Sequence, residues 1–247
     1  MYRSAETNLK RLQEAGLRGL LMSSLKGIEK ESLRVSPAGT VSQRPHPAAL
    51  GSALTHPWIT TDYSEALLEF ITPPETRLRD SLAFLEEIHR YVYHVIGDEL
   101  LWTASMPCIV GPDSSIPIAD YGSSNSGRMK HIYRHGLAWR YGRRMQAIAG
   151  VHFNYSFGQD LLDVLQEQRG DRRERAAFRS HAYFGLIRNI QRYGWLIPVL
   201  FGASPALCRS FLAGQPDTFQ AFDANTLYEP YATSLRMSDV GYKNKAQ

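Results

Sequence analysis

The chain has little cysteine and no long apolar run. Its 247 residues hold two cysteines, Cys108 and Cys208, far apart in sequence. One such pair makes a poor disulfide framework, and free buried thiols are expected. The longest apolar stretch, Trp195 to Ala203, is broken by Pro198 and Gly202 and is far too short to span a bilayer. Met1 to Ala15 is polar with a helical pattern, so no signal peptide is expected. A cytoplasmic protein with no membrane partner is the resulting expectation. Internal repeats and low-complexity tracts are lacking. So are a Ser-His-Asp elbow and a reactive-cysteine signature. Charge of one sign is lacking too: 28 basic residues face 24 acidic ones, for a net +4. That permits anionic ligands without demanding nucleic acid. What is present is 43% apolar content, enough for a sizeable core in one large domain or two small ones.

Apolar spacing predicts a first helix capped by Ser4 with Leu9, Leu12, Leu17, Leu20 and Leu21 on its stripe. A strand from Ile28 to Val35 ends at Ser36-Pro37-Ala38-Gly39, and a returning strand is expected near Val41. Pro47 to Leu54 reads as a short helix, and Trp58 to Tyr63 and Glu65 to Thr72 as strands. Thr76 is expected to cap a long helix carrying Leu78, Leu82, Leu85, Ile88, Val92 and Ile96. After a loop-rich stretch, a helix is expected from Arg128 to Ile148, ended by Gly150, then a strand from Val151 to Ser156. Helices over Leu161 to Gln168 and Arg175 to Tyr193 follow, and Cys208 falls in a helix-like run. This mixed order predicts an α+β fold with an antiparallel sheet, not a doubly wound one. The chain breaks off after Asn244-Lys245-Ala246-Gln247 with no cap or polar tail, so a fragment of a longer chain is expected.

Glu29 and Glu31 lie one residue apart in the strand Gly27 to Val35, so both project from one face. Glu69 sits among Leu67, Leu68, Phe70 and Ile71, where an unpaired carboxylate costs several kcal/mol. Carboxylates crowded on a half-buried sheet face repel one another unless something neutralises them. A hard divalent cation does so, and magnesium takes one or two carboxylates together with substrate phosphates. The plainer alternative is an edge strand whose charges face water. Asp62 and Glu65 read as further acidic lining or as turn residues. The strand Val151 to Ser156 puts His152, Asn154 and Ser156 on one face, as a lined cavity or a satisfied core histidine would.

The helix from Arg128 to Arg144 carries six basic residues and no acidic one, with Tyr133, Trp139 and Tyr141 between them. A nucleic-acid surface is disfavoured, because no matching basic stripe exists elsewhere. An anion-reading subset is favoured: Tyr133 and Leu137 share a face, with Arg134 beside them. His131 and His135 are spaced as zinc ligands can be, but no Glu lies between them and cations surround them, which argues against zinc. Gly122 to Met129 has phosphate-loop glycine spacing, yet Arg128 and Met129 stand where Lys and Ser or Thr belong, so a Walker site is rejected.

Several blocks together resemble one family. They are Ile28 to Val35, Leu50 to His56, Trp58 to Tyr63, Glu65 to Pro73, Gly150 to Asn154, Phe201 to Ala206, and Tyr231 to Arg236 leading into Gly241-Tyr242. In order, and covering the chain from near Leu17 onward, they resemble the proteobacterial type of glutamate–cysteine ligase (gamma-glutamylcysteine synthetase). The resemblance implies a glutamine-synthetase-like fold, an antiparallel sheet funnel packed with helices, incomplete in this chain. It implies that residues 1–247 are the N-terminal part of one catalytic region. It implies ATP-dependent joining of the L-glutamate side-chain carboxyl to L-cysteine through gamma-glutamyl phosphate, the first step of glutathione synthesis. Magnesium, with manganese as an alternative, would be held by Glu29, Glu31, Glu69 and His152, with Arg134 neutralising anionic charge. The cysteine pocket maps onto Tyr63, Tyr133, Leu137, Gln146, Arg236 and Tyr242. Position 63 is often Phe in the family, so the Tyr63 hydroxyl is a departure. A monomer with small-molecule partners only is implied. Because family members are much longer, this chain alone is expected to be inactive. A related ligase with another amine acceptor, or an inactive ligand-binding remnant, are the competing readings.

Overall fold

The computed structural model describes residues 6–7, 9–11, 13, 17–107, 109–202, 206–212 and 219–230. Ser4, Leu12, Cys108, Arg236 and Tyr242 therefore lie outside the described residues. After a short helix α1 (Arg18–Met22), strand β1 (Leu25–Val35) forms the spine of a sheet. It pairs antiparallel with β3 (Leu67–Ile71) on one side and with β5 (Val151–Ser156) on the other. β2 (Ile59–Thr61) extends the sheet beyond β3, and β4 (Leu100–Leu101) pairs with the end of β1. A second sheet joins β6 (Ala206–Cys208), β7 (Gln220–Ala221) and β8 (Thr226–Tyr228) with β8 in the middle. Every described ladder is antiparallel, as an α+β fold requires.

Alternation along β1 gives the sheet two different faces. Ile28, Ile59, Leu68 and Phe70 face helix α2 (Leu78–Val95) and join Leu85, Ile88, Val92 and Ile96 in one core cluster. Each such aliphatic side chain, fully buried, contributes roughly 1.5–3 kcal/mol. The buried stripe of α2 is Ser81, Leu85, Ile88 and Val92. Leu78 and Leu82, expected on that stripe, are 43% and 51% exposed. Thr76 does not cap the helix: Arg77 takes the N-cap position without a side-chain bond.

At the far end of β1 a buried guanidinium ties the sheet to its surroundings. Arg34 Nη1 donates to Glu99 Oε2 at 2.6 Å, and its Nη2 donates to the carbonyls of Arg44, Pro45 and Glu65. Removing one partner of such a pair strands the other charge and costs about 3–5 kcal/mol.

The helix expected from Arg128 to Ile148 is two elements. Helix α3 (Asn125–Tyr141) starts early because Ser124 accepts the Gly127 N–H at 3.1 Å. It stops at Gly142, whose φ of +75° is a conformation that favours glycine. The following 3₁₀ turn, Arg144–Ala147, is held by Asp113, whose carboxylate accepts the backbone N–H of Arg143 at 2.9 Å and of Arg144 at 3.0 Å. Gly150 therefore does not end the helix. Val41 makes only an isolated bridge to Val35, and Pro47 to Leu54 contains only the 3₁₀ turn Ala48–Leu50. Cys208 lies on strand β6 and not in a helix, half-buried as a free thiol. Helices α4 (Gln159–Gln168), α5 (Arg175–Tyr193) and α6 (Leu196–Phe201) complete the described chain. Among the described residues no helix is long and apolar enough to cross a membrane.

Candidate active site

The face of the sheet turned away from α2 collects acidic groups. The β1–β3 register sets Glu31 opposite Glu69, and the β1–β5 register sets Glu29 opposite His152. Glu29 Oε2 meets His152 Nδ1 at 3.0 Å, and its Oε1 accepts from Asn154 Nδ2 at 2.8 Å. Glu31 is 5% exposed and its Oε2 accepts the Gly150 N–H at 2.7 Å. The polar residues His152 and Asn154 therefore belong to the acidic face, as the period of β5 predicts.

Electrostatics follow from this crowding. Burial first, and then Asp62, Glu31 and Glu29, push the Glu69 carboxyl up to about 7, with His152 opposing them. The His152 hydrogen bond holds Glu29 below the usual carboxylate range, and Asn154 adds to that while burial opposes it. Reciprocally, the Glu29 bond raises His152. The face thus carries more negative charge than it neutralises. Among the described residues no three His, Cys, Asp or Glu side chains converge on one metal-binding point. Glu29 is turned to His152 and Asn154, and Glu31 to Gly150. The carboxylate oxygens are donors for a hard divalent ion, and the imidazole beside them is a borderline donor.

Beside this face lies a pocket of about 250 Å³, lined by Glu31, Asp62, Tyr63, Tyr133, Arg134, Leu137, Gln146 and His152. All the described residues expected in the substrate pocket line it. Glu29 and Glu69 do not line it but share the sheet face with Glu31. Tyr63 and Gln146 are 2% and 3% exposed, so their positions are fixed by packing. Arg134 is fixed as well: Nε donates to the Asp62 carbonyl at 2.6 Å and Nη1 to the Lys130 carbonyl at 3.0 Å. Its guanidinium carbon stands 4.6 Å from the centre of the Tyr121 ring, a cation–π contact.

Tyr121 is a neighbour of the pocket residue Arg134 that sequence reasoning missed. Its hydroxyl donates to the Thr61 carbonyl at 2.7 Å, tying α3 to β2 through Arg134. Asp62, read as lining or turn, lines the pocket. Glu65 is structural: its carboxylate accepts the backbone N–H of His46 and of Asp120. The basic residues of the 128–144 stretch are dispersed. Arg143 donates to the Ile116 carbonyl and Arg144 to that of Gly111, while Lys130 sits over Tyr121.

A family model described as glutamate-cysteine ligase matches residues 9–247. The chain belongs to the glutamate–cysteine ligase family. It is 58% identical to a glutamate–cysteine ligase of Alcanivorax borkumensis over 98% of its own length and 46% of that protein's. It is 56% identical to one of Azotobacter vinelandii, covering 96% of this chain and 45% of the relative. The chain thus spans less than half the length of these glutamate–cysteine ligases. A crystal structure of the Francisella tularensis glutamate–cysteine ligase in complex with AMP superposes with a TM-score of 0.79 at 40% identity, over 89% of this chain and 43% of that one. A bifunctional glutathione synthetase from Pasteurella multocida superposes with a TM-score of 0.77 at 30% identity, over 96% and 29%. The antiparallel α+β architecture is therefore that of glutamate–cysteine ligases.

Proposed function

We propose that this chain supplies the acidic face and the amine-substrate pocket of an ATP-dependent glutamate–cysteine ligase. The reaction joins the L-glutamate γ-carboxyl to the amine of L-cysteine, the first step of glutathione synthesis. ATP phosphorylates the γ-carboxylate, the cysteine amine attacks the acyl phosphate, and inorganic phosphate leaves. Phosphoryl transfer of this kind depends on positioning and charge neutralisation more than on covalent help from the protein. The observation that carries the reading is the shared wall: Glu31 and His152 belong to the acidic face and also line the pocket of Tyr63, Tyr133, Leu137 and Gln146. An acyl phosphate at the carboxylates then lies beside the amine that attacks it.

Glu29, Glu31, Glu69 and His152 would hold a hard divalent cation, magnesium with manganese as the alternative. Such an ion neutralises charge on phosphate oxygens. The Glu69 carboxyl is raised first by burial and then by Asp62, Glu31 and Glu29, and this supports the assignment, because a nearby cation favours the charged form against both. Arg134, with Nε and Nη1 engaged by backbone carbonyls, offers Nη2 to a phosphate or carboxylate oxygen. Tyr63, Tyr133 and Leu137 form aromatic and aliphatic walls suited to a thiol side chain, and Gln146 supplies a polar contact. Arg236 and Tyr242 are assigned to the same substrate by their motif alone. The AMP bound to the Francisella protein supports nucleotide use. This reading makes residues 1–247 the N-terminal part of one catalytic region, in a monomeric cytoplasmic enzyme with small-molecule partners only.

The test joins this chain to the second half of the Alcanivorax relative and measures phosphate release. ATP-, glutamate- and cysteine-dependent turnover is expected, with the KM for cysteine raised by Tyr133→Ala. Turnover that ignores cysteine, or a Tyr133→Ala variant with an unchanged KM, overturns the reading.

A further inference from the structure

His131 and His135 stand one turn apart on α3, outside the residues that line the pocket. Their Nε2 atoms are 3.1 Å apart. Nδ1 of His131 lies 2.8 Å from the carbonyl of Ala119. A carbonyl only accepts, so Nδ1 carries the proton and Nε2 of the neutral ring presents its lone pair. That is the arrangement typical of metal-ligating histidines, whose second nitrogen is oriented by a carbonyl or carboxylate. Ala119 is itself fixed, fully buried and donating its N–H to the Tyr63 carbonyl at 3.0 Å.

The separation has a geometric consequence. An ion about 2.05 Å from both nitrogens, a usual metal–imidazole distance, subtends an angle of about 98° at their 3.1 Å spacing. That value falls between the cis angle of octahedral or square-planar sites, about 90°, and the tetrahedral angle, about 109°. Rings whose Nε2 axes both point at such an ion have centroids about 4.8 Å apart. The two rings are 4.7 Å apart. A linear N–H···N bond at the same spacing would set them about 5.4 Å apart. The cations that argue against a metal in the sequence are turned elsewhere: Lys130 and Arg134 both stand over Tyr121.

We propose that His131 and His135 form a two-histidine site for a borderline divalent transition metal, of the Zn²⁺, Ni²⁺ and Cu²⁺ class. Imidazole nitrogens suit these ions, whereas magnesium prefers oxygen donors. The site is independent of the acidic face. Water completes the coordination, because His131 and His135 are the two side chains the geometry offers. Exposed His135 moves its proton from Nε2 to Nδ1 as the ion binds, with no net release from a neutral ring. Occupancy links two successive turns of α3, the helix that presents Tyr133, Arg134 and Leu137 to the pocket.

The experiment is a calorimetric titration of the 247-residue protein with Ni²⁺, with magnesium in excess to occupy oxygen donors. One Ni²⁺ per chain is expected. His135→Gln and His131→Gln should each weaken it by about tenfold or more, because each removes one arm of a chelate. His152→Asn and the exposed His94→Gln should leave it unchanged. Far-ultraviolet circular dichroism establishes that each variant remains folded, and exposed His135 is the substitution least able to disturb the fold. Absence of Ni²⁺ binding by the parent, or undiminished binding by folded His135→Gln, overturns the proposal. Loss of binding in His152→Asn, with retention in His135→Gln, assigns the ion to the acidic face and overturns it equally.

Discussion

Glu31 and Glu69 stand directly opposite one another across the β1–β3 ladder. Like charges in that relationship destabilise a sheet, and here the cost falls on Glu69, held up at about 7 chiefly by burial. A carboxyl whose folded value lies above its ordinary 4.5 adds stability below that ordinary value. The contribution is lost as pH rises through the folded value. Glu69→Gln is therefore expected to match the parent in acid and to be the more stable of the two above neutrality. A shift of this size amounts to about 3 kcal/mol in a fully buried group and about 1–2 kcal/mol in one partly open to water. Urea unfolding at acid and alkaline pH measures it; equal stabilities at both ends contradict it.

The Glu29–His152 pair has its own pH window. Glu29 is held low, so its contribution is present above 4.5 and lost as pH falls; His152 is held high, so its contribution is present below 6.5 and lost as pH rises. His152→Gln should lose stability between those two values by roughly 0.2–1 kcal/mol, the range of partly exposed ion pairs. Well above that window it should lose almost nothing. A pH-independent loss would assign His152 to packing instead.

Gly127→Ala ordinarily strengthens a helix interior by about 1 kcal/mol. Here the new Cβ would sit 2.4 Å from the Tyr121 carbonyl oxygen, so the N-terminal turn of α3 must move. A loss of about 2 kcal/mol or more is expected, read as a lowered melting temperature. Stabilisation would show that α3 does not approach Tyr121 so closely.

Large apolar side chains are exposed on β5, α5 and α6: Phe153 58%, Phe184 60%, Ile197 60% and Phe201 81%. Exposed apolar side chains of this size bind apolar partners, and the matched relatives are more than twice as long as this chain. The isolated 247-residue protein is expected to bind a hydrophobic dye and to show no ligation. Robust phosphate release dependent on ATP and cysteine from this chain alone would contradict that.

The period of two residues made β5 and the acidic stretch of β1 legible, down to the faces of His152, Asn154, Glu29 and Glu31. Local spacing also placed Arg134 and Leu137 on one helix. What remained hidden depends on contacts distant in sequence. The break at Gly142 needs Asp113, some thirty residues away, to hold the next turn. The stripe of α2 could be read only once the sheet selected Ser81 over Leu78 and Leu82. Tyr121 sits in a proline-rich loop without periodicity, and only the fold brings Arg134 onto its ring. The partnership of Arg34 with Glu99 spans sixty-five residues and leaves no local pattern.

The most direct measurement is the titration of Glu69 by ¹³C NMR, with and without magnesium. A midpoint near 7 without the ion, moving downward as magnesium is added, is what a cation-binding acidic face requires. A midpoint in the ordinary glutamate range that magnesium leaves unmoved would contradict it.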